Sequence, residues 1–404
     1  MQVFTSLVQR GIAEGVSDMH ITGGHPVIFR KNGKIIFVPK VIFSPEKIDS
    51  LVVEFLSPRH MHILQERFSV DFAVTVAKTR LRINVFATSR GLSLAARFLP
   101  AQVPSLEGLN LHPSLKQLCT PDSGLVLFCG PTGSGKSTTI AALISLINQT
   151  RPGHTITLED PIEYLFRSKN SFIQQRELGE HFLSYQQGLL DILREDPDVI
   201  VVGELREPET IRLTLGAAES GHLVFGSLHA SNPEEAVYRI CNSFPLESQE
   251  FVRYQLASSL IGVVCQKLVV PHNVPFRVPL LSIMFSSPAI RNTIRENKIE
   301  QIENIMEMSR EKDMFTFSRY EKEFLRMRRN YTAPWECLGT CTENSMEKEY
   351  VSPLLTRPAR SRDGRTGTSG EYEEDTGMLK LESSDQNVED IITQIQSRGQ
   401  QGGV

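Results

Sequence analysis

The sequence predicts an α/β protein: a small N-terminal domain, then a parallel sheet covered by helices and built around a phosphate-binding loop. Three observations predict it. First, Gly130-Pro131-Thr132-Gly133-Ser134-Gly135-Lys136-Ser137 lies between an apolar run, Leu125–Cys129, and a helical stretch through Ile140, Leu143, Ile144 and Ile147. That strand–loop–helix context is what a P-loop requires. Second, four apolar runs (Leu125–Cys129, Thr155–Leu158, Val199–Val202 and Leu223–Leu228) alternate with helical segments, the pattern of a parallel sheet with helical crossovers. Third, Asp160, Glu204 and His229 fall at or just beyond the C-terminal ends of these runs. Open α/β sheets bind their ligands at that edge.

The elements follow in chain order. Residues 1–100 read as a small α/β domain. Val3, Phe4, Leu7, Val8 and Ile12 have helical spacing, and Val27–Val38 reads as a hairpin turning at Lys31-Asn32-Gly33-Lys34, where Asn-Gly is the turn signal. Ile48–Leu56 reads as a helix, and Asp71–Val76, Leu81–Ala87 and Ser93–Phe98 read as strands. Residues 101–112, beginning with the proline-bounded stretch Pro100–Pro104, form a linker, and a helix is expected near Leu115–Cys119. Residues 113–285 form the core around the P-loop, and 286–330 a C-terminal helical segment. The whole stretch 246–330 reads as mainly helical, with segments at Arg291–Ser309 and Phe317–Met327. Residues 331–404 read as a disordered tail, because 345–404 is rich in Ser, Gly, Arg, Glu and Thr. Within it, Val388, Ile391, Ile392 and Ile395 have helical spacing, but so short a helix is marginal alone in water.

Bulk properties narrow the class. A chain of 404 residues, 40% apolar with a net charge of −4, is long enough for two or three domains with real cores. The near-neutral balance argues against a general nucleic-acid binder. Of six cysteines, Cys119, Cys129, Cys241 and Cys265 read as small core residues. Cys337 and Cys341 lack a second pair that would complete a metal site and read as free thiols in a reducing compartment. Met1–Gly15 lacks a basic region followed by an apolar core, so no signal peptide is expected. Leu256–Val270 is interrupted by Ser258, Ser259, Gln266 and Lys267 and is too short and polar to span a bilayer. The expectation is a cytoplasmic protein with peripheral attachment at a membrane left open.

The chemistry starts at the loop. Its glycines let backbone N–H groups turn inward around phosphate oxygens, and the helix N-terminus adds partial positive charge. Gly130 to Ser137, with Thr138 in the same turn, is the expected nucleotide site. Lys136 reaches the β/γ-phosphates and the Ser137 hydroxyl ligates Mg²⁺. Hydrolysis also needs a group that activates water. Val199–Val202 delivers Gly203-Glu204, making Glu204 the candidate base. Gly203 stands where a strand-end aspartate is usual, so Mg²⁺ must draw on Ser137, water and another acid, either Glu159 or Glu163 of Thr157–Glu163. His229 is placed to sense the γ-phosphate. Arginines can stabilise transition-state charge across a subunit boundary, and Arg80, Arg82, Arg90, Arg97, Arg194 and Arg206 are the candidates; spacing alone does not choose among them.

These motifs, in this order, resemble the hexameric ATPases of type II secretion, type IV secretion and type IV pili, most closely the pilus-retraction branch. Ser17–Thr22, Arg82–Phe86 and Arg90-Gly91 with Ala95–Arg97 are similar to the family's N-terminal signatures. Thr157–Tyr164 resembles its Asp box, Arg194–Asp198 leading to Gly203–Arg206 its atypical Walker B, and Gly221–His229 its His box. Ala289–Glu296 resembles the motif that marks retraction ATPases, with Thr293 for a usual leucine. Gly226-Ser227 stands for Ala-Thr and Glu207 for an aspartate. The resemblance implies a PAS-like N-terminal domain, a RecA-like ATPase domain, a homo-hexamer, ATP and Mg²⁺ as ligands, and Arg82 and Arg97 completing the neighbour's site. It implies a motor acting on an inner-membrane platform protein to withdraw pilin, the alternative being a type IVB or type II-like secretion ATPase. The absence of a paired Cys-x-x-Cys favours retraction. A DNA motor would show a basic strip or aromatic loops, and neither is evident.

Overall fold

A computed structural model describes residues 1–31, 33–99, 103–309 and 313–333. The N-terminal part runs α1 (Gln2–Glu14), β1 (Asp18–Thr22), β2 (Pro26–Lys31), β3 (Lys34–Ile42), α2 (Pro45–Phe55), α3 (Pro58–Arg67), β4 (Ser69–Val76), β5 (Thr79–Thr88) and β6 (Gly91–Phe98). Its six strands form one antiparallel sheet in the order β3-β2-β1-β6-β5-β4. Side chains alternate across a strand, so Met19 and Ile21 of β1 and Leu81, Ile83 and Val85 of β5 enter one core. Phe4 and Val8 of α1 and Ile48 and Val52 of α2 close it. Gly15, at φ 67°, ends α1 in the left-handed conformation that suits glycine.

Two elements here lay beyond the sequence reading. β1 is five residues long with two buried apolar side chains, and α3 buries only His60 and Leu64. Neither offers enough periodicity to register.

The second part runs β7 (Gly124–Cys129), α4 (Lys136–Thr150), β8 (Gly153–Glu159), β9 (Ser171–Glu177), α5 (Tyr185–Ile192), β10 (Val199–Val202), α6 (Pro208–Glu219) and β11 (Leu223–Leu228). It continues with α7 (Pro233–Asn242), α8 (Leu246–Ser259), β12 (Leu260–Val269), β13 (Val278–Phe285), α9 (Pro288–Arg295), α10 (Ile302–Met308) and α11 (Phe317–Tyr320). The sheet order is β13-β12-β7-β11-β10-β8-β9, parallel except for the antiparallel edge strand β13. β7 is buried along its whole length. Leu125, Leu127 and Cys129 face one layer, with Leu189, Leu215, Ala236 and Leu256. Val126 and Phe128 face the other, with Ile140, Leu143 and Ile147 of α4.

The structure corrects the reading of 246–330 as mainly helical: β12 and β13 occupy its centre. Strands covered on both faces read as unbroken apolar runs rather than alternating ones, and Gln266 and Lys267 interrupt this run. Arg291–Ser309 is not one helix; α9 stops before Asn297, which has φ 57°, and α10 starts afresh. The helix expected near Leu115–Cys119 is a 3₁₀ turn, Pro113–Cys119. Strand β9, mostly polar, was not expected. The tail expectation fails at its start, where Tyr331 donates to the Leu325 carbonyl, Thr332 to Asn110 and Ala333 is buried; its remainder, the Val388–Ile395 helix, Cys337, Cys341, Asn32 and Pro100 lie outside the described residues.

A buried ion pair joins the N-terminal sheet to the end of β9, beside a hydrogen bond to the loop after β8. Arg80, 4% exposed, donates from Nε to the Ile162 carbonyl (3.3 Å) and from Nη2 to Glu177 Oε2 (3.3 Å). Glu177 also accepts from the Ile162 N–H at 3.0 Å. Nearby, Ser57 Oγ donates to Glu180 Oε1 at 2.9 Å, and His60 Nδ1 lies 3.3 Å from the same oxygen. Among the described residues, no helix is long and apolar enough to cross a membrane.

Candidate functional site

The loop between β7 and α4 turns because glycine sits where no other residue fits. Gly130 has φ 143°, and a Cβ there would stand 2.3 Å from the Gln266 carbonyl oxygen. Gly133 and Gly135 also have positive φ, 77° and 91°. Lys136 folds back over the loop, Nζ donating to the carbonyls of Gly130 (2.7 Å) and Pro131 (3.2 Å). Burial pulls its pKa below the usual lysine range; Cys129 and Glu204 nearby oppose that shift. Pro131, Thr132 and Gly133 are exposed and Ser134 is buried. Ser137 presents an exposed side chain in the first turn of α4, and Thr138 Oγ1 accepts from the Tyr164 hydroxyl at 3.1 Å.

At the ends of β10 and β11 the structure brings Glu204 and His229 together. Glu204 Oε1 lies 3.1 Å from His229 Nε2 and 2.6 Å from Arg206 Nε. The guanidinium and the imidazole both gather on one carboxylate oxygen. His222 is not part of this group; its Nδ1 stays within 3.0 Å of the Ala217 carbonyl at the end of α6.

The two acids proposed for Mg²⁺ have different surroundings. Glu159 Oε1 accepts from Thr157 Oγ1 (2.7 Å) and Gln175 Nε2 (3.0 Å). Burial pushes its pKa up to about 7, and the neighbouring Glu163 adds to the rise. Glu163 is paired with Arg82 Nη1 at 3.4 Å. Among the described residues, no group of three or more His, Cys, Asp or Glu forms a ready-made metal cluster. That suits Mg²⁺ at a nucleotide, which keeps its waters and takes one or two protein oxygens plus phosphates. The Glu163 backbone N–H is a third donor to this carboxylate, and an ionised carboxylate, with about four lone-pair sites, has room for a metal-bound water as a fourth.

Arg82 and Arg97 are held by carboxylates of their own chain. Arg82 Nε reaches Asp71 Oδ2 at 2.9 Å, and Arg97 Nε reaches Asp18 Oδ1 at 2.9 Å. Sequence reasoning missed Gln266 as a site residue. It also missed the contact of Tyr164 with α4 and the pinning of Ile162 by Arg80. The single usable signal was Gln266 itself, an uncharged polar residue in an apolar run.

The type II/IV secretion system protein family matches residues 2–328. The chain belongs to that family. It is 43% identical over 312 residues to the uncharacterized protein YggR of Escherichia coli K12, covering 77% of this chain and 94% of that one. It is 38% identical over 299 residues to the type IV pilus retraction ATPase PilT of Pseudomonas aeruginosa, covering 74% and 87%. Its fold superposes with TM-score 0.71 and 40% identity on a crystal structure of the pilus retraction motor PilT with bound ADP, covering 79% of this chain and 96% of that one.

Proposed function

We propose that this chain is an ATP-hydrolysing motor of type IV pilus retraction. The observation that carries the reading is the placement of Lys136 on the loop after β7 and of the Glu204–His229 pair at neighbouring strand ends, in a chain similar to a retraction ATPase over most of its length. In this reading residues 1–100 are the PAS-like domain, 113–285 the RecA-like core and 286–330 its helical extension. Six copies form a cytoplasmic ring that works on an inner-membrane platform protein.

Gly130–Thr138 wraps the phosphates, with Lys136 leaving its loop carbonyls for the β/γ-phosphate oxygens. Bound Mg²⁺, held by Ser137 and through water by Glu159 or Glu163, would neutralise charge developing between the β- and γ-phosphates. Arg206 and His229 fix Glu204 by one oxygen, so the other is free to orient a water and take its proton. His229 adds a hydrogen bond toward the γ-phosphate side. Arg82 or Arg97 of a neighbouring copy supplies transition-state charge once released from its own carboxylates.

The test is genetic. Deleting the gene should leave cells hyperpiliated and unable to twitch, with recovery by the wild-type gene and none by Lys136→Ala. Normal piliation and twitching in the deletion strain would contradict the reading.

A further inference from the structure

Gln266 lies on β12, one residue past Cys265, which pairs in register with Cys129 of β7. It is 2% exposed. Its Nε2 donates to the Ser134 carbonyl at 2.7 Å, and its Oε1 accepts from Thr139 Oγ1 at 2.8 Å. The amide orientation follows from chemistry, since a carbonyl accepts only and must face the NH₂ group. One side chain thus ties the middle of the phosphate loop to the first turns of α4. Its neighbours are shaped around it: a Cβ on Gly135 would come within 2.7 Å of Nε2, and one on Gly130 within 2.3 Å of the Gln266 carbonyl oxygen.

This tie sets a direction. In a trans peptide the C=O and N–H point opposite ways. Anchoring the Ser134 carbonyl to β12 therefore aims the Gly135 N–H away from β12, which in the nucleotide-binding reading is the phosphate side. A loop without that anchor is free to rotate the peptide and present a carbonyl to the phosphate.

We infer that Gln266 is a positioning residue of the nucleotide site, holding the phosphate loop in its anion-binding shape from the adjacent strand. The inference rests on the reading of the chain as a nucleotide-binding ATPase. Both polar ends of its side chain are taken by protein groups, so it acts through Ser134, Gly135 and Thr139.

The test measures binding of a fluorescent ADP analogue with Mg²⁺ to the full chain, alongside melting of the ligand-free protein. Gln266→Asn is too short to span both partners and should weaken binding at least about 10-fold, one lost hydrogen bond with its partner left buried. Gln266→Glu keeps the acceptor for Thr139 but sets a carboxylate oxygen against the Ser134 carbonyl. It should weaken binding similarly while the carboxylate is ionised and recover as pH is lowered through the buried carboxyl's raised pKa, where the protonated group donates again. The wild type should show no such recovery. A merely structural role would lower melting while leaving the affinity of the folded fraction unchanged, and that result would overturn the inference. Should both variants fail to fold, Thr139→Val removes the second tie; weaker binding supports the inference and wild-type affinity overturns it. Wild-type protein that binds no ADP would overturn the ATPase reading and this inference with it.

Discussion

Replacing Glu159 with glutamine should stabilise the protein at alkaline pH. The carboxyl is buried at the end of β8 and its pKa is pushed from an ordinary 4.5 up to about 7. The folded chain therefore holds a proton that the unfolded chain releases. Between those two values the unfolded state is the more ionised, so stability falls as pH rises; above the upper value the penalty is complete. Each pH unit across the window costs about 1.4 kcal/mol, giving a total of about 3 kcal/mol. Glutamine is isosteric and keeps an oxygen for Thr157 and Gln175, but it has no charge to bury. The assay is denaturant unfolding of wild type and Glu159→Gln at about pH 5 and about pH 8.5. The variant's advantage should grow by about 2–3 kcal/mol between the two, most of the window lying between them. An advantage that stays constant, or a variant less stable at the higher pH, would refute the burial argument. If Glu159 holds a metal-bound water, MgADP should narrow the alkaline gap by stabilising the wild type more than the variant.

Three further outcomes are expected. Gly130→Ala places a methyl 2.3 Å from the Gln266 carbonyl oxygen at a φ that alanine resists, so MgADP affinity measured by calorimetry should fall at least about 10-fold; Gly216→Ala on α6, with nothing within 4 Å, should instead raise stability by about 0.5–1 kcal/mol. Alone, Arg82→Ala should lose about 10³-fold or more in hydrolysis rate and Glu204→Gln about 10²–10⁴-fold, yet mixed rings of the two should regain activity because some boundaries pair an intact Glu204 with a neighbour's intact Arg82; mixtures as inactive as their parents would place the arginine within its own chain.

What the sequence disclosed, and what it hid, divides by range. The phosphate loop, Glu204 and His229 stand at the ends of strongly apolar strands, so local pattern singled them out as candidates. Strands β12 and β13 were misread because burial on both faces erases the alternation that marks a strand, and Gln266 broke the one run that would have shown it. The role of Gln266 depends on a contact with Ser134, 132 residues away, and the pinning of Ile162 and Glu177 depends on Arg80, 82 and 97 residues distant. No spacing rule reaches that far. The family resemblance implies that Arg82 completes a neighbour's site, while within one chain Asp71 and Glu163 hold it.

Phosphate release from MgATP by the assembled wild-type protein and by Glu204→Gln bears most directly on the central claim. The account predicts steady turnover by the wild type and a loss of about 10²–10⁴-fold in kcat in the variant with nucleotide still bound. Equal rates in the two, or no phosphate from the wild type with Mg²⁺ present, would contradict it.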